Sequence, residues 1–339
     1  MNRIDVIMDI DSVGDDILAL LYAAKHPRLN LLGVTTVTGA SGDIEQATWV
    51  ALNTLDLIDS DIPVHAGASE PIVKMDVNGD PVNFFEELRP KFGSRIDEMN
   101  VPAARPTRES EVECASDYLV RMASENPGKI TLVTTGPLTN IALALEKDSN
   151  FASNIKEAYV LGGAFRIWGN ISPVTEYNIV ADAEAANMVM NSGMKITLVP
   201  LDVCENNEFA DGMMTRDHIA DLDSLMEDNA MLSFIKRKYP IYIDVWREYF
   251  HLGGFPMDDV ITAALVADSD LATYSEPVHV DVETKGSLTY GETIAFEGYQ
   301  INRYPQKAMR NVRIARTLDG KRFMDMFVDV LSEVDCKEV

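Results

Sequence analysis

Residues 3–21 read RIDVIMDIDSVGDDILALL, an apolar, β-like run that empties into four aspartates, Asp9, Asp11, Asp15 and Asp16. Asp9 and Asp11 are two apart and share a face if the strand continues through them, while Asp15 and Asp16 open an apolar segment that reads as a helix. A strand end, a tight turn and a helix start therefore gather the carboxylates. Like charges a few ångströms apart raise one another's pKa or repel, and a helix dipole offsets only roughly 0.3–1 kcal/mol per favourable carboxylate. A bound cation is the simplest compensation, and oxygen donors without a nearby His or Cys suit Ca²⁺ or Mg²⁺ better than Zn²⁺.

Composition limits what such a site can serve. The 339 residues carry a formal charge of −25 with 46% hydrophobic residues, a globular balance that argues against nucleic acid or an anionic membrane as a partner. Cys114, Cys204 and Cys336 lie far apart without CxxC or CxxH spacing, so neither a disulfide framework nor a zinc signature is expected. No apolar run approaches the roughly 18 residues of a membrane span, and the N-terminus lacks a signal-peptide pattern. A cytoplasmic protein is the default expectation.

Outward from the aspartates, strands alternate with helices. Helices are expected over 17–25, 44–57, 109–125 and 182–191, and from Pro137 through Leu145. Strands are expected over 31–37, 62–65, 129–135, 157–161 and 195–201. A helix over 225–248 should break at Pro240, and a loop over 255–259 should start the helix 260–267. The rest reads as strand-rich up to a helix over 322–333. Residues 71–106 mix charge, Gly, Pro and Phe84-Phe85 and suit a surface excursion beside a site.

The expected fold is α/β: a single doubly wound, mostly parallel, Rossmann-like sheet with helices on both faces and a strand-rich C-terminal segment, residues 1–339 forming one domain. In such a sheet ligands collect outside the carboxyl ends of the strands, where Asp11, Thr135, Asn178, Asp202 and Asp259 fall. His65 lies in an apolar-flanked strand and is expected to be packed or hydrogen-bonded. Phe165, Trp168, Trp246 and Tyr249 could stack on a base but read first as packing residues, and His251 as a surface or packed histidine.

Several readings of the aspartates can be weighed. An EF-hand loop fails, because Val13 and Leu20 take positions that need oxygen ligands. No GxGxxG follows the first strand, so a dinucleotide fold lacks support. Asp9-Ile10-Asp11-Ser12-Val13 fits the DxDx(T/V) pattern of haloacid-dehalogenase-like, Mg²⁺-dependent phosphatases, with Thr134 and Asp258-Asp259 as possible later parts, but leaves Asp15 and Asp16 unexplained.

More residues are accounted for by another likeness. Asp9-x-Asp11-x-x-x-Asp15-Asp16 resembles the DxDPGxDD signature of the inosine-uridine-preferring nucleoside hydrolases, with Ser12-Val13 in place of Pro-Gly. In the same order, 135–140 (TGPLTN), 160–164 (VLGGA), Gly169-Asn170 followed by Glu176-Tyr177-Asn178, and 182–186 (DAEAA) resemble that family's GPLTN, MGGA, GN…EFN and DPEAA motifs. The similarity extends to 282–286 (VETKG), and the five motifs stand in the family's order.

The resemblance implies a Ca²⁺ held by Asp11, Asp16, the backbone carbonyl of Thr135, and Asp259. Water and two ribose hydroxyls would complete the roughly six to eight oxygens that Ca²⁺ takes. It implies hydrolysis of a ribonucleoside to ribose and a free purine or pyrimidine base, with Asp11 deprotonating the attacking water. Asp15, Asn170, Glu176, Asn178 and Asp259 would contact the sugar, and Asp9 would be a structural support. It further implies a small-molecule nucleoside partner and a homodimer or homotetramer. The chain departs from the pattern at Asp258, where the family commonly has the His that is its usual candidate acid for the leaving base, and at Ala40, where it commonly has Asn. Phe92-Gly93 is the nearest remnant of its HGxxGL motif. Asp258 could act as the acid if its pKa is raised; a ribose-binding relative without leaving-group activation is the other reading of these departures.

Overall fold

Strand β1 (Ile4–Ile10) becomes fully buried from Val6 onward. Its side chains alternate between two apolar clusters, with Val6, Met8 and Ile10 in one and Ile7 in the other. A strand that is apolar on both faces needs cover on both, and the molecule is built around that requirement. The structure is a computed structural model and describes residues 3–73, 84–99, 103–302 and 309–333.

The remaining strands are β2 (Leu29–Thr36), β3 (Val64–Ala66), β4 (Thr131–Thr134), β5 (Glu157–Leu161), β6 (Ile196–Val199), β7 (Ala272–Tyr274), β8 (His279–Val282), β9 (Thr293–Phe296) and β10 (Val312–Leu318). Eight of them form one sheet in the order β3-β2-β1-β4-β5-β6-β10-β7, and β8 and β9 pair separately. Every pairing in the large sheet is parallel except that of β7 with β10. Helices Asp16–Lys25, Ala230–Glu248, Asp258–Ala267 and Gly320–Ser332 contribute to one apolar cluster, and Ala115–Glu125, Thr139–Lys147 and Ala183–Met190 to the other. The doubly wound sheet and the strand-rich C-terminal segment are thus as expected.

Two helices depart from expectation. The one expected over 109–125 begins only at Ala115, because the chain before it runs alongside β3. There the Glu111 N–H donates to the Val64 carbonyl at 2.8 Å, and the Glu113 carbonyl meets His65 Nδ1 at 2.8 Å. His65 is buried and stacks on Tyr118, as a packed histidine should.

The helix expected over 225–248 starts later, as Ala230–Glu248, opened by Asn229 capping the Leu232 N–H at 2.9 Å, while Leu225 ends a separate helix, Arg216–Leu225. Pro240 lies inside it without ending it. An interior proline costs about 3 kcal/mol, but Tyr239, Ile241, Tyr242, Ile243 and Val245 around it are all buried. At about 1.5–3 kcal/mol per buried large apolar side chain, packing outweighs the missing hydrogen bond.

Within the excursion 71–106, Phe84–Phe92 is helical and Gly93–Glu98 a 3-10 turn; residues 74–83 and 100–102, like Cys336, lie outside the described residues. Cys114 and Cys204 are free thiols. Among the described residues no helix is long and apolar enough to cross a membrane.

Candidate active site

The strand order reverses beside β1, which has β2 on one side and β4 on the other. A crevice forms at such a point, outside the carboxyl ends of the strands. Asp11 follows β1 and Thr135 follows β4, so the two sides of the crevice come from segments more than a hundred residues apart.

Asp9 is still on β1, in register with Thr35 of β2 and Thr134 of β4, and has no exposed surface. Its Oδ1 accepts from Thr35 Oγ1 at 2.5 Å and from Asn140 Nδ2 at 2.8 Å, while Oδ2 has no partner among the described residues. Burial raises its pKa to about 7 against the help of those two donors. Asn140 also donates to the Thr36 carbonyl and accepts from the Ala68 N–H.

The turn after β1 is unusual. Ser12 and Gly14 both take positive φ, 64° and 57°, and a proline at position 12, which the family resemblance would expect, could not adopt that conformation. The turn brings Asp16 back so that its Oδ2 accepts the Val13 N–H at 3.0 Å. Its Oδ1 accepts from Thr135 Oγ1 at 2.5 Å. Asp11 accepts the Ala40 N–H at 2.8 Å and lies beside the Asp16 carboxyl. Two ionised carboxylates so close repel each other, and a proton or a cation between them relieves the repulsion. Burial raises the pKa of both, Asp16 further because the Asp11 charge faces it.

Helix Asp258–Ala267 brings two more acids. Asp259 is buried and its N–H donates to Asp15 Oδ2 at 2.8 Å. Burial, then the Asp15 and Asp16 charges, push Asp259 well above the usual carboxylate range; burial lifts Asp15 to about 7. Asp258 is part-exposed, its Oδ1 without a hydrogen-bond partner among the described residues, and burial with the Glu205 charge raises its pKa. No lysine, arginine or histidine charge figures among the main influences on any of these six aspartates.

The loop after β5 completes the crevice. Asp202, in the short helical turn Leu201–Cys204 after β6, accepts the N–H groups of Phe165 and Arg166, both at 2.9 Å. Glu176 caps helix Tyr177–Ala181 by accepting from Asn178 and Ile179, and it also takes the Gly163 N–H. Asn178 donates Nδ2 to the Thr135 carbonyl at 2.9 Å. Asn170 is exposed, its Oδ1 accepting from the Tyr177 N–H at 3.0 Å. The structure thus brings Asp11, Asp15, Asp16, Thr135, Glu176, Asn178, Asp258 and Asp259 into one network, with Asn170 at its edge.

Among the aromatic candidates, Trp246 stacks on Tyr242 and meets Phe255 edge-on, whereas Trp168 is 76% exposed. His251 is exposed. Sequence reading passed over Gly39 and Gly136, where a Cβ would lie 2.1 Å from Asp11 Oδ2 and 2.9 Å from Asp11 N. It also passed over Glu205, which no motif marks.

Among the described residues no three His, Cys, Asp or Glu side chains form a ready-made metal cage; Asp11 and Asp16 close on each other, and Asp259 turns to Asp15. The donor chemistry nevertheless fits a hard divalent cation. Buried carboxyls and a backbone carbonyl are all oxygen, and a cation would relieve the mutual repulsion that raises their pKa values.

A doubly wound sheet with carboxyls and amides crowded at its switch point is the setting of an α/β enzyme that takes a polar small molecule. The sequence places it further: residues 6–325 match the family model described as inosine-uridine preferring nucleoside hydrolase, and the chain belongs to that family. It is 33% identical to Uridine nucleosidase 1 of Arabidopsis thaliana over 86% of this chain and 82% of that one. It is 28% identical to the pyrimidine-specific ribonucleoside hydrolase RihB of Shigella flexneri over 88% of each chain. A purine-preferring ribonucleoside hydrolase from Gardnerella vaginalis superposes with a TM-score of 0.82 at 28% identity, covering 97% of this chain and 98% of that one. The enzyme is a nucleoside hydrolase, and hydrolysis of ribonucleosides is the activity its family supports.

Proposed function

We propose that the enzyme cleaves the N-glycosidic bond of ribonucleosides with Asp11 as the base and Ca²⁺ as the cation, held by Asp11, Asp16, the Thr135 carbonyl and Asp259. The observation that supports this reading is the buried, all-oxygen set of Asp11, Asp16 and Asp259, whose pKa values burial and neighbouring charge raise and whose mutual repulsion a divalent cation would relieve. With Ca²⁺ in place, the chemistry supplied is Lewis acidity, which orients vicinal ribose hydroxyls and acidifies water.

The residues then divide the work. Asp11 accepts the proton of the water that attacks C1′, held in orientation by the Ala40 N–H. Asp15 and Asp259, with Asn170, Glu176 and Asn178, bind the ribose oxygens. Glu176 is fixed by three backbone N–H groups and keeps lone pairs for a hydroxyl donor. The surrounding carboxylates stabilise the positive charge that develops on the sugar. Asp258, whose pKa burial and the Glu205 charge raise, is the candidate acid for the leaving base, and Ala40, where the family commonly has Asn, leaves one sugar contact unmade.

Incubation with a panel of purine and pyrimidine ribonucleosides in Ca²⁺, with reducing sugar measured, tests the reading; no ribose from any member sinks it. Both base classes belong on the panel, since the relatives' names span uridine, pyrimidines and purines. A ribose-binding protein without turnover would instead show Ca²⁺-dependent thermal stabilisation by ribose and no product. A phosphatase using Asp9 would release phosphate from phosphoesters, but Asp9 has no exposed surface and its Oδ1 is held by Thr35 and Asn140, which denies a nucleophile its approach. Asp11→Asn should therefore be the more damaging change than Asp9→Asn. A homodimer or homotetramer is the expected assembly, checked by light scattering.

A further inference from the structure

We propose that Tyr239 is a positioning residue for the cation-binding turn, its hydroxyl fixing the peptide that joins Gly14 to Asp15 and so the placing of Asp15 and Asp16 against Asp11. The inference rests on the cation reading above. Tyr239 lies in helix Ala230–Glu248, is fully buried, and donates its hydroxyl to the Gly14 carbonyl at 2.9 Å across 225 residues of chain. Burial pushes the hydroxyl well above its ordinary pKa, so it remains a donor throughout the working pH range.

The turn needs such an anchor. Gly14 is buried with φ of 57°, and a glycine can leave that conformation at little steric cost. Left unpaired, its carbonyl would carry the penalty of a buried acceptor and would rotate toward another donor. Rotating that peptide moves Asp15 and Asp16, which follow it directly, relative to Asp11, which precedes the turn. Tyr239 removes this freedom from outside the carboxyl cluster and adds no charge to it.

The anchor reaches both halves of the cation set. A Cβ at Gly14 would lie 3.7 Å from the Tyr242 ring and 3.9 Å from the Phe255 ring, so both pack against the turn. Tyr239 packs on the same two rings, with centroids 5.6 Å and 5.8 Å away. Phe255 is held by paired backbone hydrogen bonds to Met214 and stands just before helix Asp258–Ala267, whose Asp259 N–H donates to Asp15 Oδ2 at 2.8 Å. Tyr242, one turn along from Tyr239, sends its hydroxyl elsewhere, to the Met99 carbonyl at 3.2 Å. The two tyrosines thus make the same kind of bond to different segments, and Tyr239 makes its bond to the turn.

Tyr239→Phe keeps the ring and removes the hydroxyl. Its Ca²⁺ dissociation constant, read by calorimetry, should rise about 10-fold or more, as is typical when groups supporting metal ligands are lost, and the Tm gain on adding Ca²⁺ should shrink. Tyr242→Phe, which loses a buried hydroxyl from the same helix, should leave the dissociation constant near the wild-type value. An unchanged constant in Tyr239→Phe, an equal rise in Tyr242→Phe, or an equal fall in Tm with and without Ca²⁺ overturns the proposal. Should the Tyr239 variant fail to fold, hydrogen exchange on the wild-type protein carries the test: Ca²⁺ should slow exchange in helix Ala230–Glu248 along with the turn, and protection confined to the turn overturns the proposal. Wild-type protein that binds no Ca²⁺ would count against the cation reading itself, and the two failures are thereby told apart.

Discussion

Asn140 Nδ2 donates to Asp9 Oδ1 at 2.8 Å across 131 residues of chain, joining the helix after β4 to the strand that leads into the aspartate turn. The same amide donates to the Thr36 carbonyl and accepts the Ala68 N–H. One buried side chain thus holds β1, β2 and the loop after β3 at the crevice. Asn140→Leu would leave several buried polar groups unpaired, at about 1–3 kcal/mol each. A fall in stability of about 2–4 kcal/mol is expected in urea denaturation, with a drop in kcat as the turn shifts.

Gly39 lies against Asp11 so closely that an added Cβ would fall 2.1 Å from Oδ2 and 2.7 Å from Cγ. Gly39→Ala must displace Asp11 or the loop. It should cost about 10² in kcat or more, together with weaker Ca²⁺ binding by calorimetry, while leaving the fold's circular dichroism unchanged.

Ser12 has φ of 64°, and proline is fixed near −65°. Restoring the proline of the family pattern by Ser12→Pro should therefore impair both stability and activity. Ser12→Gly suits the positive φ and should stay within about 1 kcal/mol of wild type. A Ser12→Pro variant with wild-type Tm would contradict the turn geometry.

Asp9, Asp15 and Glu176 all have pKa values raised to about 7 by burial. A carboxyl with a folded value above its unfolded value favours the folded state when protonated. In chelator, that contribution is full below pH about 4 and is lost as pH rises through about 7. Ca²⁺ works against this loss, since it binds Asp11, Asp16 and Asp259 in their ionised forms and its charge favours ionisation of the carboxyls beside them. The Tm of the chelated protein should fall from pH 5 to pH 8, and the gain on adding Ca²⁺ should be larger at pH 8. A Ca²⁺ effect independent of pH would contradict this account.

Much of the fold was legible because its signals are local. Apolar runs such as β1 and β5 mark buried strands, and β5 matches its expected span to the residue. The misreadings came where distant packing decided. Pro240 stays inside a helix because its neighbours are buried, and residues 109–114 are drawn out of a helix by the edge of β3. At the site, the motifs carried the residue types but not their relations.

The sequence by itself determined that four aspartates gather at the end of the first strand of an α/β sheet, because residue spacing and strand-to-helix patterning are properties of one short stretch. Only the tertiary structure decided what each does. Whether a carboxyl meets an amide, a hydroxyl or a backbone N–H depends largely on segments distant in the chain. So Asp9 rests on Asn140, Asp16 on Thr135 and Asp11, and Asp15 on Asp259.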